Sequence, residues 1–391
     1  MSIRFRRIFL LIVVLALGFA LPVVGRPGPA GFPVPPAGAF TPSKDNLDFR
    51  GEITRKIRRA IERGLAYLAS TQDDSDGSWR CKVGRKISNN YSAVTMNNTD
   101  NDKNVGVTAL AAIAFMAHGD VPGRGRYGEN VRKAVLFLMK CRKKATGFIK
   151  CADSRMYEHS FATLALAEAY GMTHESTFPE KFKLGETLRA AVKQIVSAQN
   201  HEGAWRYLPQ ATDSDISVTV TTLMALRAAR NSGIFVPKSA IDRALDYVRE
   251  SARAVDGGFW YQIKELKKGQ MSRVTYALTA AGVASLMYAG EYNVREVKKG
   301  VKYLETRGRQ PRKVGMRTNF EYFYGQYYAA QVFFQVGGEK WKRWYRKVAG
   351  DIANGQFPDG RWHDRVGPNY ATAMACIIME LPYRYLPLFL R

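Results

Sequence analysis

A chain of 391 residues, 46% of them hydrophobic, is long enough to build one large core, and no segment reads as a second folded domain. Lysine and arginine number 59 against 34 acidic residues, a formal charge of +25 that suits either an anionic contact or a plain solvated basic surface. The sequence holds no Gly-rich phosphate loop, no Ser/His/Asp order and no nucleic-acid motif, which excludes the common nucleotide-binding, hydrolytic and specific nucleic-acid-binding classes.

At the N-terminus, Arg4, Arg6 and Arg7 precede a charge-free apolar run from Ile8 to Val24 that ends at Gly25. This is a charged region, a hydrophobic region and a small-residue cleavage site, so residues 1–25 are expected to be a signal peptide and the protein exported, periplasmic or extracellular. The run is at the short limit for a membrane span, and an uncleaved anchor stays open. Seven of the sixteen prolines fall between Pro22 and Pro42, and residues 26–49 read as a Pro/Gly-rich linker.

From residue 50 a single pattern recurs, apolar or small residues at i, i+3, i+4 and i+7. It appears at Ile61/Gly64/Leu65/Leu68, Val131/Ala134/Val135/Leu138 and Leu188/Ala191/Val192/Ile195, then at Ile241/Ala244/Leu245/Val248, Val297/Gly300/Val301/Leu304 and Tyr345/Val348/Ala349/Ile352. Each is an amphipathic helix with one buried face. Between them lie segments apolar almost all round: Val107–Ala117, Phe161–Ala169, Val218–Ala229, Val274–Ala289, Phe320–Val336 and Tyr370–Met379. A helix apolar on every side must be enclosed. Alternation of the two kinds predicts an all-α fold over residues 50–391, an α/α toroid of about six helix-hairpin repeats in two concentric rings. An open solenoid would leave the inner helices facing water.

Several outer helices end in a turn of shared composition: Gln72…Gly77-Ser78-Trp79, Gln199…Gly203-Ala204-Trp205, Gln356…Gly360-Arg361-Trp362, and a degenerate Gly257-Gly258-Phe259-Trp260. Glycine permits the sharp turn, the Gln amide bonds to backbone groups at a helix end, and the indole packs over the next helix start. Of the four cysteines, Cys141 and Cys151 bracket a polar turn and are placed to bridge, Cys376 reads as a core thiol, and no spacing is zinc-like.

These turns resemble the QW motif of the prenyltransferase/squalene-oxidase repeat superfamily, and the resemblance covers residues 50–391. It implies the terpene-cyclase-like toroid fold and says little about activity, because the fold hosts cyclases, prenyltransferase β subunits and complement-type domains. The chain is also similar to exported bacterial repeat proteins of no established activity. The resemblance places a site in the central cavity, where inner helices begin. Those entries here carry Tyr157-Glu158-His159, Asp213-Ser214-Asp215, Ser272-Arg273, Asn319-Phe320-Glu321-Tyr322-Phe323-Tyr324 and Asn369-Tyr370. Asp213-Ser214-Asp215-Ile216 resembles the D-x-D-D acid motif of squalene-hopene-type cyclases in its first position, with Ile216 in place of the last Asp. Ser214-Asp215-Ile216-Ser217 resembles the V-S-D-C-T string of oxidosqualene cyclases.

The resemblance therefore implies Asp215 as an acid that starts a cyclisation or isomerisation of a prenyl or terpenoid lipid. Asp213 and His159 would be its partners, and Tyr157, Tyr322, Phe323, Tyr324, Tyr327, Tyr328 and Tyr370 the lining. No metal or other cofactor is implied, since the Asp-x-Cys zinc pair of the prenyltransferases is missing. Against this stands the plain reading of Asp215 as a helix N-cap. Two other functions stay open: a non-catalytic binder of an anionic glycan or envelope component, with peripheral membrane contact, and a polysaccharide lyase with Arg273 as base.

Overall fold

The computed structural model of the chain describes residues 52–81, 102–151, 154–306, 322–364 and 366–386. The chain divides into a unit of residues 1–44 and one of residues 45–391; the first unit, and with it the expected signal peptide and linker, lies outside the described residues. Among the described residues no helix is long and apolar enough to cross a membrane.

Six amphipathic helices form an outer ring: α1 (Arg55–Ser70), α3 (Gly128–Lys140), α5 (Leu184–Ser197), α7 (Lys238–Glu250), α10 (Arg295–Thr306) and α12 (Gly338–Asn354). Six helices buried on nearly every face form the inner ring: α2 (Val105–His118), α4 (Met156–Met172), α6 (Ile216–Asn231), α9 (Tyr276–Tyr288), α11 (Tyr322–Val336) and α13 (Pro368–Glu380). A short helix α8 (Ile263–Lys267) sits in the loop before α9, and a two-residue ribbon pairs β1 (Arg80–Cys81) with β2 (Asp102–Lys103).

The inner helices pack in a circuit, α2 on α4, α4 on α6, α6 on α9, α9 on α11, α11 on α13, and α13 back on α2. Helix α1 packs on both α12 and α13, so the outer ring closes at the same seam. The fold is the two-ring toroid, and no inner face is left to water as it would be in an open solenoid. At the seam Gly64 lets α1 approach closely, since a Cβ there would stand 2.7 Å from the Cys376 sulfur and 2.8 Å from the Trp362 ring.

Every outer stripe foreseen from periodicity is buried except in α7, where Ile241 is half-exposed and the buried face runs Ala240, Ala244, Leu245, Tyr247 and Val248. The inner helices are dominated by apolar and small residues, so only burial on nearly all sides offsets the cost of ordering them.

Five described turns joining an outer helix to its inner partner share a glycine station. Gly77, Gly147, Gly203, Gly257 and Gly360 all have φ between +80° and +95°. A Cβ at any of them would lie 2.4–2.7 Å from a carbonyl oxygen of the next outer helix, of Lys133, Ala190, Arg243, Lys299 and Arg63 respectively. Two independent restrictions therefore select glycine there. The Gln amides bond both ways: Gln72 Nε2 donates to the Gly77 and Asn130 carbonyls, Gln199 to those of Gly203 and Ala240, and Gln356 to those of Gly360 and Ala60. The last of these ties the sixth turn to α1 and closes the ring.

Two residues beyond four of these glycines an aromatic side chain plugs the repeat. The amide N–H groups of Trp79, Trp205, Phe259 and Trp362 donate to the hydroxyls of Thr108, Thr219, Thr279 and Thr372, near the start of the following inner helix. The indole N–H groups of Trp79, Trp205 and Trp362 return to carbonyls of Leu68, Ile195 and Ile352 at 2.7–2.8 Å. In the degenerate copy Phe259, not Trp260, holds this station. The second turn uses a different pair. Ile149 occupies the aromatic station, its N–H donates to His159 Nδ1 at 3.0 Å in place of a threonine, and the imidazole packs at 4.6 Å on Phe148.

Candidate functional site at the inner-helix entries

The inner helices all follow an outer helix and run the same way, so their N-termini gather at one mouth. Tyr324 of α11 shows this: its ring lies 6.5 Å from Tyr157 of α4, and its hydroxyl donates to the Ser217 carbonyl of α6 at 3.2 Å. Tyr157, Tyr288 and Tyr370 are deep enough that burial pushes their phenols well above the usual range, yet each keeps accessible surface. Tyr324 and Tyr328 pack 5.0 Å apart, and Tyr328, fully buried, shares a 2.8 Å hydrogen bond with Thr221 on α6.

Asp215, fully buried, is the N-cap of α6. Its Oδ1 accepts from the Val218 amide at 2.9 Å and from the Ser217 hydroxyl at 2.5 Å. The Tyr261 hydroxyl lies 3.4 Å and Arg206 Nε 3.9 Å from Oδ2. Asp213, more exposed, accepts from Arg206 Nη1 at 2.8 Å and from the Gln262 amide at 3.3 Å. Ser214 between them donates to Asn200 Oδ1. Burial works against the Arg206 charge, but Asp215, Tyr261 and Asp213 more than offset it and raise its pKa. Val218, Ser217, Tyr261 and Arg206 thus present hydrogen-bond donors or a cation to the Asp215 carboxyl group.

Three site residues were missed by sequence reasoning: Arg206, Tyr207 and Tyr261. The two phenols share a 2.7 Å hydrogen bond, and Tyr207 stands 6.2 Å from Tyr157. Arg206 covers Tyr207 at 5.1 Å, Arg155 covers it at 5.7 Å, and Arg273 covers Tyr261 at 4.4 Å. Arg273 thus faces a phenol ring at the mouth, an arrangement that suits its cationic form and not a base.

The other expected residues divide. Tyr157, Tyr324, Tyr327, Tyr328 and Tyr370 face inward across the ring, Tyr327 and Tyr328 fully buried, with the Tyr327 hydroxyl 3.4 Å from Met224 Sδ. Tyr322 does not: its phenol interacts with Asp351 of α12 and with Tyr276, and Phe323 packs on it edge-on at 5.3 Å, so both belong to the α9–α12 side. His159 is also turned away from Asp215. Both ring nitrogens are committed to main-chain groups, Nδ1 to the Ile149 amide and Nε2 to the Ala191 carbonyl at 3.2 Å. Burial lowers its pKa from 6.5 to about 4, so the ring is a neutral strut. Helix periodicity could not reveal this, because the residue it replaces is a threonine in the other repeats.

No group of three or more His, Cys, Asp or Glu placed to hold a metal occurs among the described residues. Asp215 with its donors, and the phenols beside it, can hold a hydroxyl, stabilise a positive charge forming nearby, or exchange a proton along the Tyr207–Tyr261–Asp215 line.

Residues 176–327, less than half of the chain, match the family model of the squalene-hopene cyclase C-terminal domain. Among solved structures, the chain is similar to the type II terpene cyclase MstE from Scytonema bound to geranylgeranyl dihydroxybenzoate. The identity is 13% and the TM-score 0.54, over 87% of this chain and 99% of that one. It is similar to a cellobiose 2-epimerase from Bacillus thermoamylovorans B4167, with 14% identity and TM-score 0.59 over 84% and 98% of the chains. A third likeness is to an alpha-1,6-mannanase of Salegentibacter sp. HEL1_6 in complex with alpha-1,6-mannotriose, with 8% identity and TM-score 0.60 over 83% and 98%. No curated protein matches in sequence. At these identities the structural likenesses establish the α/α toroid fold. The matched family segment and the cyclase neighbour support the prenyltransferase/squalene-oxidase-like superfamily read from the QW turns.

Proposed function

We propose that this superfamily toroid, exported by residues 1–25, takes a prenyl or terpenoid lipid into its interior. The apolar chain would lie along Tyr157, Tyr324, Tyr328 and Tyr370, with its polar end at Asp213, Arg206 and Asp215. The observation that carries the reading is a fully buried carboxylate, Asp215, within reach of the Tyr261 hydroxyl at 3.4 Å and close to tyrosines that meet across the ring. Electron-rich rings and a buried carboxylate stabilise cationic character along an isoprenoid chain. An acid-started cyclisation or isomerisation would draw its proton from Asp215, the buried carboxyl group of the mouth.

The experiment is binding followed by turnover. Geranylgeraniol and geranylgeranyl dihydroxybenzoate are titrated into the purified protein by intrinsic fluorescence, and mixtures are analysed for isomerised or cyclised products. Binding that weakens at least tenfold in Tyr324→Ala supports the reading, and products lost in Asp215→Asn assign the chemistry. No binding of either lipid would sink it.

A second reading is favoured by the mouth itself, where Asp213, Gln262, Asn200, Tyr207 and Arg155 offer the mixed donors and acceptors that hold sugar hydroxyls. Binding of mannotriose or an acidic oligosaccharide in the same titration, with the lipids silent, would move the assignment to a glycan ligand.

A further inference from the structure

The second turn lacks both devices that fasten the first, third and sixth. In the place of Gln72, Gln199 and Gln356 stands Arg142, which reaches Glu186 of α5 at 2.9 Å through an exposed ion pair. Such a pair contributes little. In the place of the indoles stands Ile149, which has no N–H to return to the preceding helix. The imidazole of His159 fills part of that volume but bonds forward, to α5, and leaves the link from the turn back to the end of α3 unmade.

Two cysteines stand where that link is missing. Cys141 is the C-cap of α3, and Cys151 ends the returning segment of the turn. The Arg142–Ile149 bridge and the bond from Lys150 N–H to the Cys141 carbonyl at 3.1 Å bring the returning segment against the end of α3, with Lys150 opposite Cys141 and Cys151 the next residue on. Their thiols are free and half-buried, each is the largest influence on the other's titration, and Cys151 Sγ also donates to the Lys103 carbonyl at 2.9 Å. At the same two stations the third turn carries Ala198 and Tyr207 and the fourth Ser251 and Tyr261.

We propose that Cys141 and Cys151 are a disulfide-forming pair, and that the bridge fastens the second turn to α3 in place of the absent Gln and Trp. The oxidant is a disulfide of low molecular weight or of a thiol oxidoreductase. The thiolate of one cysteine attacks it, forming a mixed disulfide and releasing one thiolate. The second cysteine, losing its proton, displaces the other half, so two protein thiols are oxidised and one external disulfide is reduced to two thiols. The proximity of the two thiols lowers the Cys151 pKa and raises that of Cys141, which makes Cys151 the first attacker. Cys81 and Cys376 are buried and burial pushes both thiols up, Cys81 to about 12, so they serve as unreactive controls.

The test equilibrates the folded full-length protein with excess glutathione disulfide, quenches with an alkylating agent and maps the peptides. The expected result is a crosslinked Cys141–Cys151 peptide, an intact mass lighter by two hydrogen atoms, and Cys81 and Cys376 recovered as thiols. Reduction should then lower the Tm by about 3–6 °C in the wild type and leave the Cys141→Ser/Cys151→Ser variant unmoved. Recovery of Cys141 and Cys151 as alkylated thiols from the oxidised, natively helical protein overturns the pairing. A bridge whose reduction leaves the Tm unchanged overturns the fastening role.

Discussion

The pairing of Ile149 with His159 gives a quantitative test of how the repeats are held. His159→Thr restores the hydroxyl that four other turns use to accept the amide at the aromatic station. It loses the 3.2 Å bond to the Ala191 carbonyl and vacates the ring volume against Phe148. About 1 kcal/mol for the bond and about 2 for the cavity give a loss of roughly 3 kcal/mol. Ile149→Trp alone forces an indole against the imidazole and costs roughly 2 kcal/mol. In the double variant the indole occupies the vacated space and its N–H meets the Leu138 carbonyl, the counterpart of Leu68 in the equally long first turn. Most of both losses should be recovered, a coupling of about 3 kcal/mol in a double-mutant cycle read by urea unfolding. The same series has a pH signature. A histidine held neutral, with its folded pKa at about 4 against 6.5 unfolded, adds stability above 6.5 that fades as pH falls through that window and is gone below about 4. The wild type should lose up to about 3 kcal/mol across it through this residue, and the double variant should lack that component. Additive single effects within about 0.5 kcal/mol, or an unchanged pH profile, would refute the exchange of Trp/Thr for Ile/His.

Further outcomes follow from other buried groups. Glu380, at the C-terminal end of α13, is buried with neither carboxylate oxygen hydrogen-bonded, and burial and then Asp120 raise its pKa well above 4.5. Its folded form is the neutral acid, so it costs stability increasingly as pH rises above 4.5. Glu380→Gln should be more stable than wild type at pH 7, a gain that shrinks as pH falls and disappears near pH 4 in pH-dependent melts. Gly203→Ala should cost about 3 kcal/mol, because φ is +82° and the new Cβ meets the Arg243 carbonyl, whereas Gly233→Ala, at φ +89° with open space, should cost about 1. Asp215→Ala should cost about 2 kcal/mol and Asp215→Asn less than half as much by chemical denaturation, since Asn keeps the acceptor for the Val218 amide. Equal costs would show that capping is not the structural role of Asp215.

The rings were legible because their physics is local. An outer helix such as α1 carries its stripe at Ile57, Ile61, Gly64, Leu65 and Leu68 whatever it packs against, and α2 is so uniformly apolar that it has no exposed face to offer. The QW turns were legible for the same reason, since Gln72, Gly77 and Trp79 act within eight residues of each other. The second turn escaped because its two substitutions compensate each other across ten residues, and neither Ile149 nor His159 looks like a motif residue alone. Position 241 misled because a half-exposed Ile at the edge of α7 fits the same periodic template as a buried one.

The site was legible only where one helix entry suffices to define it. Asp215 followed by an apolar helix reads as a cap from four residues of sequence, and it is one. Its surroundings come from separate turns: Arg206 and Tyr207 from the third, Tyr261 from the fourth, Tyr157 and Tyr324 from the second and fifth inner helices. Their assembly depends on the ring closing, which fixes the angle between repeats, and no spacing along the chain encodes that angle. One signal was present nonetheless. When the turns are aligned on the motif aromatic, the second residue beyond it is Cys81, Cys151, Tyr207, Tyr261 and Asp364 in successive described turns. In the third and fourth turns that station lies beside the neighbouring inner helix, since Tyr207 and Tyr261 offer their carbonyls to the Met156 and Ile216 amides. A side chain there is held by a main-chain bond across the repeat boundary and stands at the mouth, so its chemistry is free to differ while the fold is kept. The two tyrosines stand in the third and fourth turns, the same arc that holds Asp213, Asp215 and Arg206.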